Sequence, residues 1–207
     1  GWNMISSYVI PENANMNQIL SSISSMVALI KDEDGKATIP SQGINGIGNW
    51  DVKKGYQIRV SEPTVLSIKG TKANPATETI QLSANKWKII SYLCDNGNTP
   101  TSQLNSINNS IALLKDQDGG TYIPSVGIDQ IKCLKPGQGY QIRASGNVSF
   151  NYNCSGNCTP FTNDIVETRS HNTYVNTNSG KNATLIFSKE VIDILNLDDE
   201  ILVHNAS

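Results

Sequence analysis

The sequence predicts an α+β protein: two tandem small modules, each of about five strands and one helix, and then a β-rich, sandwich-like and incomplete third domain. Three observations predict it. Tyr8 to Arg59 matches Tyr92 to Arg143 at a constant offset of 84 residues, without a gap. Short β-rich runs bounded by Gly, Pro and Asn outnumber helical stripes in both copies. The pattern changes after a Cys-containing, turn-rich segment, Asn153 to Pro160. A repeat of this length marks a folded unit rather than a low-complexity tract. The expected boundaries are residues 1–72 for module 1 and 77–152 for module 2, with a linker at 153–163 and a partial β-sandwich-like domain at 164–207. Each module is near the lower size limit for comfortable stability.

The elements follow in order. Trp2 to Val9 alternates loosely and reads as a strand, which Pro11 and Asn13 break. Met16, Ile19, Leu20, Ile23 and Met26 or Val27 form the i, i+3, i+4, i+7 stripe of an amphipathic helix, with Asn13 or Asn15 as N-cap. Such a stripe needs a sheet to cover it. Val27 to Lys31 and Lys36 to Ile39 read as a hairpin, turned by Asp32-Glu33-Asp34-Gly35 because Gly accepts positive φ. Pro40 stops the pairing. Gly43 to Trp50 is a connector that Ile44 and Ile47 are expected to pin to the core. Gly55-Tyr56-Gln57-Ile58-Arg59-Val60 alternates as a strand, and Thr64 to Ile68 returns. The second copy repeats this from Trp87 to Phe150, with Thr99-Pro100 as N-cap and N1. An apolar run, Thr79 to Leu82, precedes Trp87. No matching run precedes Gly1, so the chain reads as cut from a longer one. Beyond the linker, Tyr174-Val175, Thr184 to Phe187 and Glu200 to His204 read as strands, and Val191, Ile192 and Leu195 as a helical turn.

Composition excludes several functions. Charged residues are 16% of the chain, against about 25% usually, and 24 Asn and 22 Ser stand in their place. Net charge is −2, and the only arginines are Arg59, Arg143 and Arg169. There is no basic footprint for nucleic acid. No apolar run approaches the roughly 18 residues of a membrane span, so no membrane insertion is expected. A polar, charge-poor surface suits an extracellular, cell-surface or virion setting.

Candidate chemistry is sparse. Asp32/Asp34 and Asp116/Asp118 pair carboxylates two apart before a Gly, as calcium loops do. The third Asx and the closing Glu of such loops are missing, which favours plain hairpin turns. No other cofactor and no other metal site is expected. Cys94 and Cys133 face Ile10 and Asn49 in the first copy, so both arise together and suggest a pair. Cys154 and Cys158 are then close enough for a local bridge. Four cysteines permit three pairings. Disulfides are favoured over zinc, because a C-x3-C spacing without clustered His makes a poor zinc site. They imply an oxidising setting. His171 and His204 are the only histidines, and no nucleophile elbow, phosphate loop or carboxylate dyad appears. No catalytic residue is expected. Trp2, Trp87, Tyr56 and Tyr140 are candidate sugar platforms, with core packing favoured by their strand positions. Trp50, which Leu134 replaces in the second copy, is the best candidate for an exposed ligand contact. Sequons at Asn108, Asn147, Asn153, Asn157 and Asn182 matter only in a host that glycosylates them.

The Gly-Trp-Asn-Met-Ile-Ser-Ser-Tyr opening, the Lys-Asp-x-Asp-Gly hairpin, the Ile-Pro-Ser-x-Gly-Ile run and the Gly-Tyr-Gln-Ile-Arg strand together carry a resemblance across residues 1–150. The chain resembles the Gly-Trp-Asn-type tandem repeat modules of large secreted and surface proteins of Bacteroidetes, and of structural proteins of marine and Bacteroidetes viruses. Residues 172–204 resemble the β-sandwich segment that often follows such repeats, with Asp198 where Gly is usual. The second copy departs at Asn85-Lys86-Trp87-Lys88. The resemblance implies a structural or adhesive role and brings no catalytic residues.

The expected function is therefore a non-enzymatic structural or adhesive segment of a larger extracellular or virion-surface protein. Its modules would act as spacers and assembly contacts, with copies of the chain or neighbouring structural subunits as partners. Surface glycans are the alternative partner, and an ancillary domain of a secreted hydrolase is a further reading. The modules are expected to fold separately when the chain is cut near Ala76.

Overall fold

The alternating runs become strands because each can place one side on a core. The computed structural model describes residues 1–158 and, beyond them, strands at 165–168, 173–176 and 199–203. The first copy contains β1 (Trp2–Ile5), β2 (Val9–Pro11), α1 (Met16–Ile19), β3 (Val27–Lys31), β4 (Ala37–Ile39), β5 (Ile44–Asn45), β6 (Tyr56–Val60), β7 (Thr64–Ile68) and β8 (Gly70–Lys72). Five of these form an antiparallel sheet in the order β1-β6-β3-β4-β5, while β2 pairs with β8. The second copy contains β9 (Ile80–Leu82), β10 (Trp87–Ile90), α2 (Pro100–Leu104), β11 (Ile111–Lys115), β12 (Thr121–Ile123), β13 (Ile128–Asp129), β14 (Tyr140–Ala144) and β15 (Val148–Phe150). Its sheet runs β10-β14-β11-β12-β13, the same order element for element. The fold is β-rich α+β.

Each sheet buries one face beneath its helical segment. In the first copy Met16, Ile19, Leu20 and Ile23 pack on Ile30, Tyr56, Ile58 and Leu66. In the second, Leu104 and Ile107 pack on Leu114, Tyr140, Ile142 and Phe150. The caps are Asn15, whose side chain accepts from the Asn17 amide, and Thr99, which accepts from Ser102 with Pro100 at the first position. Both helices are shorter than the apolar stripe suggests. They tighten into 3₁₀ turns at Ser21–Ile23 and Asn105–Ser110.

The connector after Pro40 differs from expectation. It contains β5, which pairs Ile44 with Ile39, and it leaves Ile44 exposed on the sheet edge rather than pinned to the core. Ile128 in β13 is exposed likewise, while Ile47 does pack on the first core.

The two copies touch reciprocally through their backbones. Met4 O accepts from Gly139 N at 3.1 Å, and Ile89 O accepts from Gly55 N at 2.8 Å. Ser6 N donates to Gly137 O at 2.8 Å, and Ser91 N donates to Lys53 O at 3.3 Å. Ile5 bridges to Gln138, and Ile90 bridges to Lys54. Each contact is the mirror of the other under exchange of the copies, so the free edges of β1 and β10 are both covered. The registers Trp2↔Arg59 and Trp87↔Arg143 also show that Trp2 and Trp87 are equivalent. The first copy has one more residue than the second between this Trp and the following Tyr, so the constant offset of 84 begins only at Tyr8.

Beyond the linker, β16 (Ile165–Thr168) pairs with β17 (Thr173–Asn176), which contains the expected Tyr174-Val175 run. Strand β18 (Asp199–Val203) pairs with β7 of the first copy, setting residue 201 opposite Leu66 and residue 203 opposite Thr64. In the second copy β9 pairs with β15, setting Ile80 opposite Phe150 and Leu82 opposite Val148. Leu66 matches Phe150 and Thr64 matches Val148 in the repeat. Thus β18 takes beside the first copy the place that β9 takes beside the second. The expected Thr184–Phe187 strand, the Val191–Leu195 turn, His171 and His204 lie outside the described residues.

Candidate functional site

Each sheet has an outer face turned away from its helix. Along β6, Tyr56, Ile58 and Val60 are buried while Gln57 and Arg59 point outward. Register carries Trp2 and Met4 of β1, and Leu29 and Lys31 of β3, onto that same outer face. In the second copy the outer face carries Trp87, Ile89, Leu113, Lys115, Gln141 and Arg143. The reciprocal contacts between copies bring the two faces together and leave a cleft on either side.

One cleft, of about 280 Å³, sets Trp2, Asn3 and Met4 of the first copy against the hairpin Lys115-Asp116-Gln117 and Gly119 of the second. The other, of about 190 Å³, sets Trp87, Lys88 and Ile89 against Lys31-Asp32-Glu33 and Gly35. Gln57 and Gln141 line both. Every lining residue of one cleft has its repeat equivalent in the other. Trp2 and Trp87 are 42% and 47% exposed, which overturns the favoured core reading for these two. Tyr56 and Tyr140 are buried as that reading has them; the Tyr56 hydroxyl accepts from Asp51 N and the Tyr140 hydroxyl from Lys135 N, each at 2.7 Å.

The hairpins that close the clefts are built by their aspartates. Asp32 Oδ1 accepts from Asp34 N at 3.0 Å and Lys36 N at 2.9 Å. Asp116 Oδ1 accepts from Asp118 N at 3.0 Å and Gly120 N at 2.7 Å. Gly35 and Gly119 take the positive φ of the turn, +80° and +89°. One oxygen of Asp32 and of Asp116 is thus spent on the backbone, which suits a hairpin turn. Burial raises the Asp116 carboxyl above its ordinary pKa, and the Asp118 charge adds to this against the two amide hydrogen bonds. Among the described residues no group of three or more His, Cys, Asp or Glu is placed to hold a metal ion.

The clefts differ at three positions, of which Met4 against Ile89 is an exchange of apolar side chains. Gln117 Oε1 accepts from Met4 N at 3.2 Å across the boundary between copies. Its counterpart Glu33 pairs with Lys54 at 3.1 Å through Oε1, and its Oε2 is buried without a hydrogen-bond partner. Burial alone would lower the Lys54 pKa, but the Glu33 hydrogen bond and the charges of Glu33, Asp32 and Asp34 raise it on balance. Asn3 of the first cleft is replaced by Lys88 in the second.

Trp50 is not an exposed contact. It is 4% exposed, and its ring lies 4.5 Å from that of Tyr56. Leu134 fills the equivalent place and is equally buried, so the difference between the copies is an exchange of core side chains.

All four cysteines are bridged, but not as expected. Cys94 bonds Cys154 and Cys133 bonds Cys158. Of the three pairings open to four cysteines, the one that co-occurrence suggests, Cys94 with Cys133 and Cys154 with Cys158, is not the one formed. The physical reason is the tail after β15. Gln103 Oε1 accepts from Asn153 N and Cys154 N, while Gln103 Nε2 donates to Asn153 Oδ1 at 2.9 Å. Asn96 Nδ2 donates to Gly156 O, and Cys158 N donates to Gly97 O. The tail is thereby laid across the second copy, and each cysteine of the copy meets one of the tail. Two disulfides place these residues in an oxidising compartment. No described helix is long and apolar enough to cross a membrane.

Comparisons with protein-family models, with curated proteins and with solved structures found no match.

Proposed function

We propose that the chain is a non-enzymatic structural and adhesive segment of a larger extracellular or virion-surface protein, with the two repeat modules acting as spacers and assembly contacts. The observation that carries this reading is strand completion. The second copy closes on its own leading strand, β9 on β15, whereas the first copy takes β18, from beyond the linker, onto β7 in the same register. A module that takes a strand from its neighbour links neighbours by main-chain hydrogen bonds, which is how strand addition joins separate chains. The reciprocal contacts between the copies serve the same end, and the disulfides harden the second copy for an oxidising exterior. Exposed Ile44 and Ile128 on the outermost strands add apolar contact points for neighbouring subunits or further copies of the chain.

The test is the strand. Proline at 201 and 202 removes two backbone donors from β18. The double variant should melt at a lower temperature than the parent, and a synthetic peptide of residues 196–205 should restore the difference when added in trans. Unchanged melting, or no response to the peptide, contradicts the assembly role.

A further inference from the structure

We infer that the twin clefts between the copies are two equivalent subsites for the rings of a neutral oligosaccharide. The inference rests on the adhesive reading above and names its ligand. Each cleft combines a half-exposed indole, two carboxamides and a carboxylate. The indole offers an apolar face to the C–H face of a sugar ring. Gln57 and Gln141 are half-buried, line both clefts, and hydrogen-bond through their side chains to no other described residue. A carboxamide both donates and accepts, which matches a hydroxyl that does the same. Asp116 and Asp32 each bring a carboxylate to the lining, with Oδ1 held by the turn. In the second cleft the unpartnered Glu33 Oε2 adds an acceptor in a place where an unmet buried oxygen is costly.

Charge and size narrow the class. The linings hold equal numbers of both signs, Lys115 and Asp116 in the first cleft and Lys31, Lys88, Asp32 and Glu33 in the second, so neither selects an anion such as phosphate or sulfate. Volumes of about 280 and 190 Å³ fall below the roughly 300 Å³ at which drug-sized pockets begin, and suit one small ring each. Lys31 lines the second cleft, and its Nζ also sits 4.9 Å from the centre of the Trp2 ring in the first. The clefts therefore adjoin, and one chain of sugars can occupy both.

The test uses the full 207-residue chain and isothermal titration calorimetry, whose signal does not depend on the indoles. Neutral hexasaccharides (gluco-, manno-, galacto- and N-acetylglucosamine series, in α and β linkages) are titrated beside sulfated and sialylated glycans. The expected result is saturable binding of at least one neutral series. Trp2→Ala or Trp87→Ala should each weaken it at least about tenfold, equivalent to about 1.4 kcal/mol, and the double variant should abolish it. Gln57→Ala should weaken it with no change in melting temperature, while Trp50→Phe should leave it intact. No neutral binding by the parent chain, binding of charged glycans alone, or binding that survives the double Trp variant overturns the inference. Such a failure leaves the strand test of the assembly role untouched.

Discussion

Asp116 illustrates what one residue of the repeated hairpin does. Its Oδ1 ties two amides, and burial raises its pKa. The folded state then holds the Asp116 proton more tightly than the unfolded chain does. Below the unfolded value both states are protonated and the group is neutral for stability. As pH rises through the window between the unfolded and the raised folded pKa, stability is lost. Asn keeps the acceptor oxygen and removes the ionisation. Asp116→Asn should therefore match the parent at low pH and gain on it toward pH 7, as read by urea midpoints across pH. Asp116→Ala should lose two hydrogen bonds and about 1–3 kcal/mol at low pH, with the deficit narrowing toward pH 7 as the parent's carboxyl ionises. Trp50 acts through packing, with its ring against that of Tyr56. Trp50→Ala should cost about 3–5 kcal/mol in the same assay, and Trp50→Leu, which copies Leu134, clearly less.

At the scale of elements, the strands and turns were legible and the contacts between them were not. Gly-Tyr-Gln-Ile-Arg reads as an alternating strand from its residues, and the Asp-x-Asp-Gly hairpin from its Gly. Trp2 and Trp87 recur at strand positions, which favours core packing, but which face of the strand each indole takes is decided by the pairing with Arg59 and Arg143. The cysteine pairing failed for a related reason. Spacing favours the near partner, whereas the Gln103 hydrogen bonds decide where the tail runs. The bridges span 60 and 25 residues, so their loops contribute about 4 and about 3.5 kcal/mol respectively in the chain-entropy model. Reduction, or Cys94→Ala with Cys154→Ala, should lower the second copy's stability by that order. Denaturant melts with and without reductant measure it.

The whole molecule depends on Gly55 and Gly139. A Cβ on Gly55 would meet Ile89 Cγ2 at 2.6 Å, Ile90 O at 2.9 Å and Gly139 Cα at 3.2 Å. A Cβ on Gly139 would meet Ile5 O at 2.9 Å. The glycine that opens each Gly-Tyr-Gln-Ile-Arg strand is thus where the copies meet most closely, and Gly55→Ala should cost about 1–3 kcal/mol through the forced shift. Read from sequence, the modules fold separately; the reciprocal backbone pairing predicts that they support one another. The clefts exist only because of that pairing, as each takes its indole from one copy and its hairpin from the other. Amide hydrogen exchange on a Gly139→Val variant tests this most directly. A change in the second copy should strip protection from β1 of the first, at Met4 and Ser6, together with β10. Loss of protection confined to the second copy, with β1 exchanging as in the parent, would contradict it.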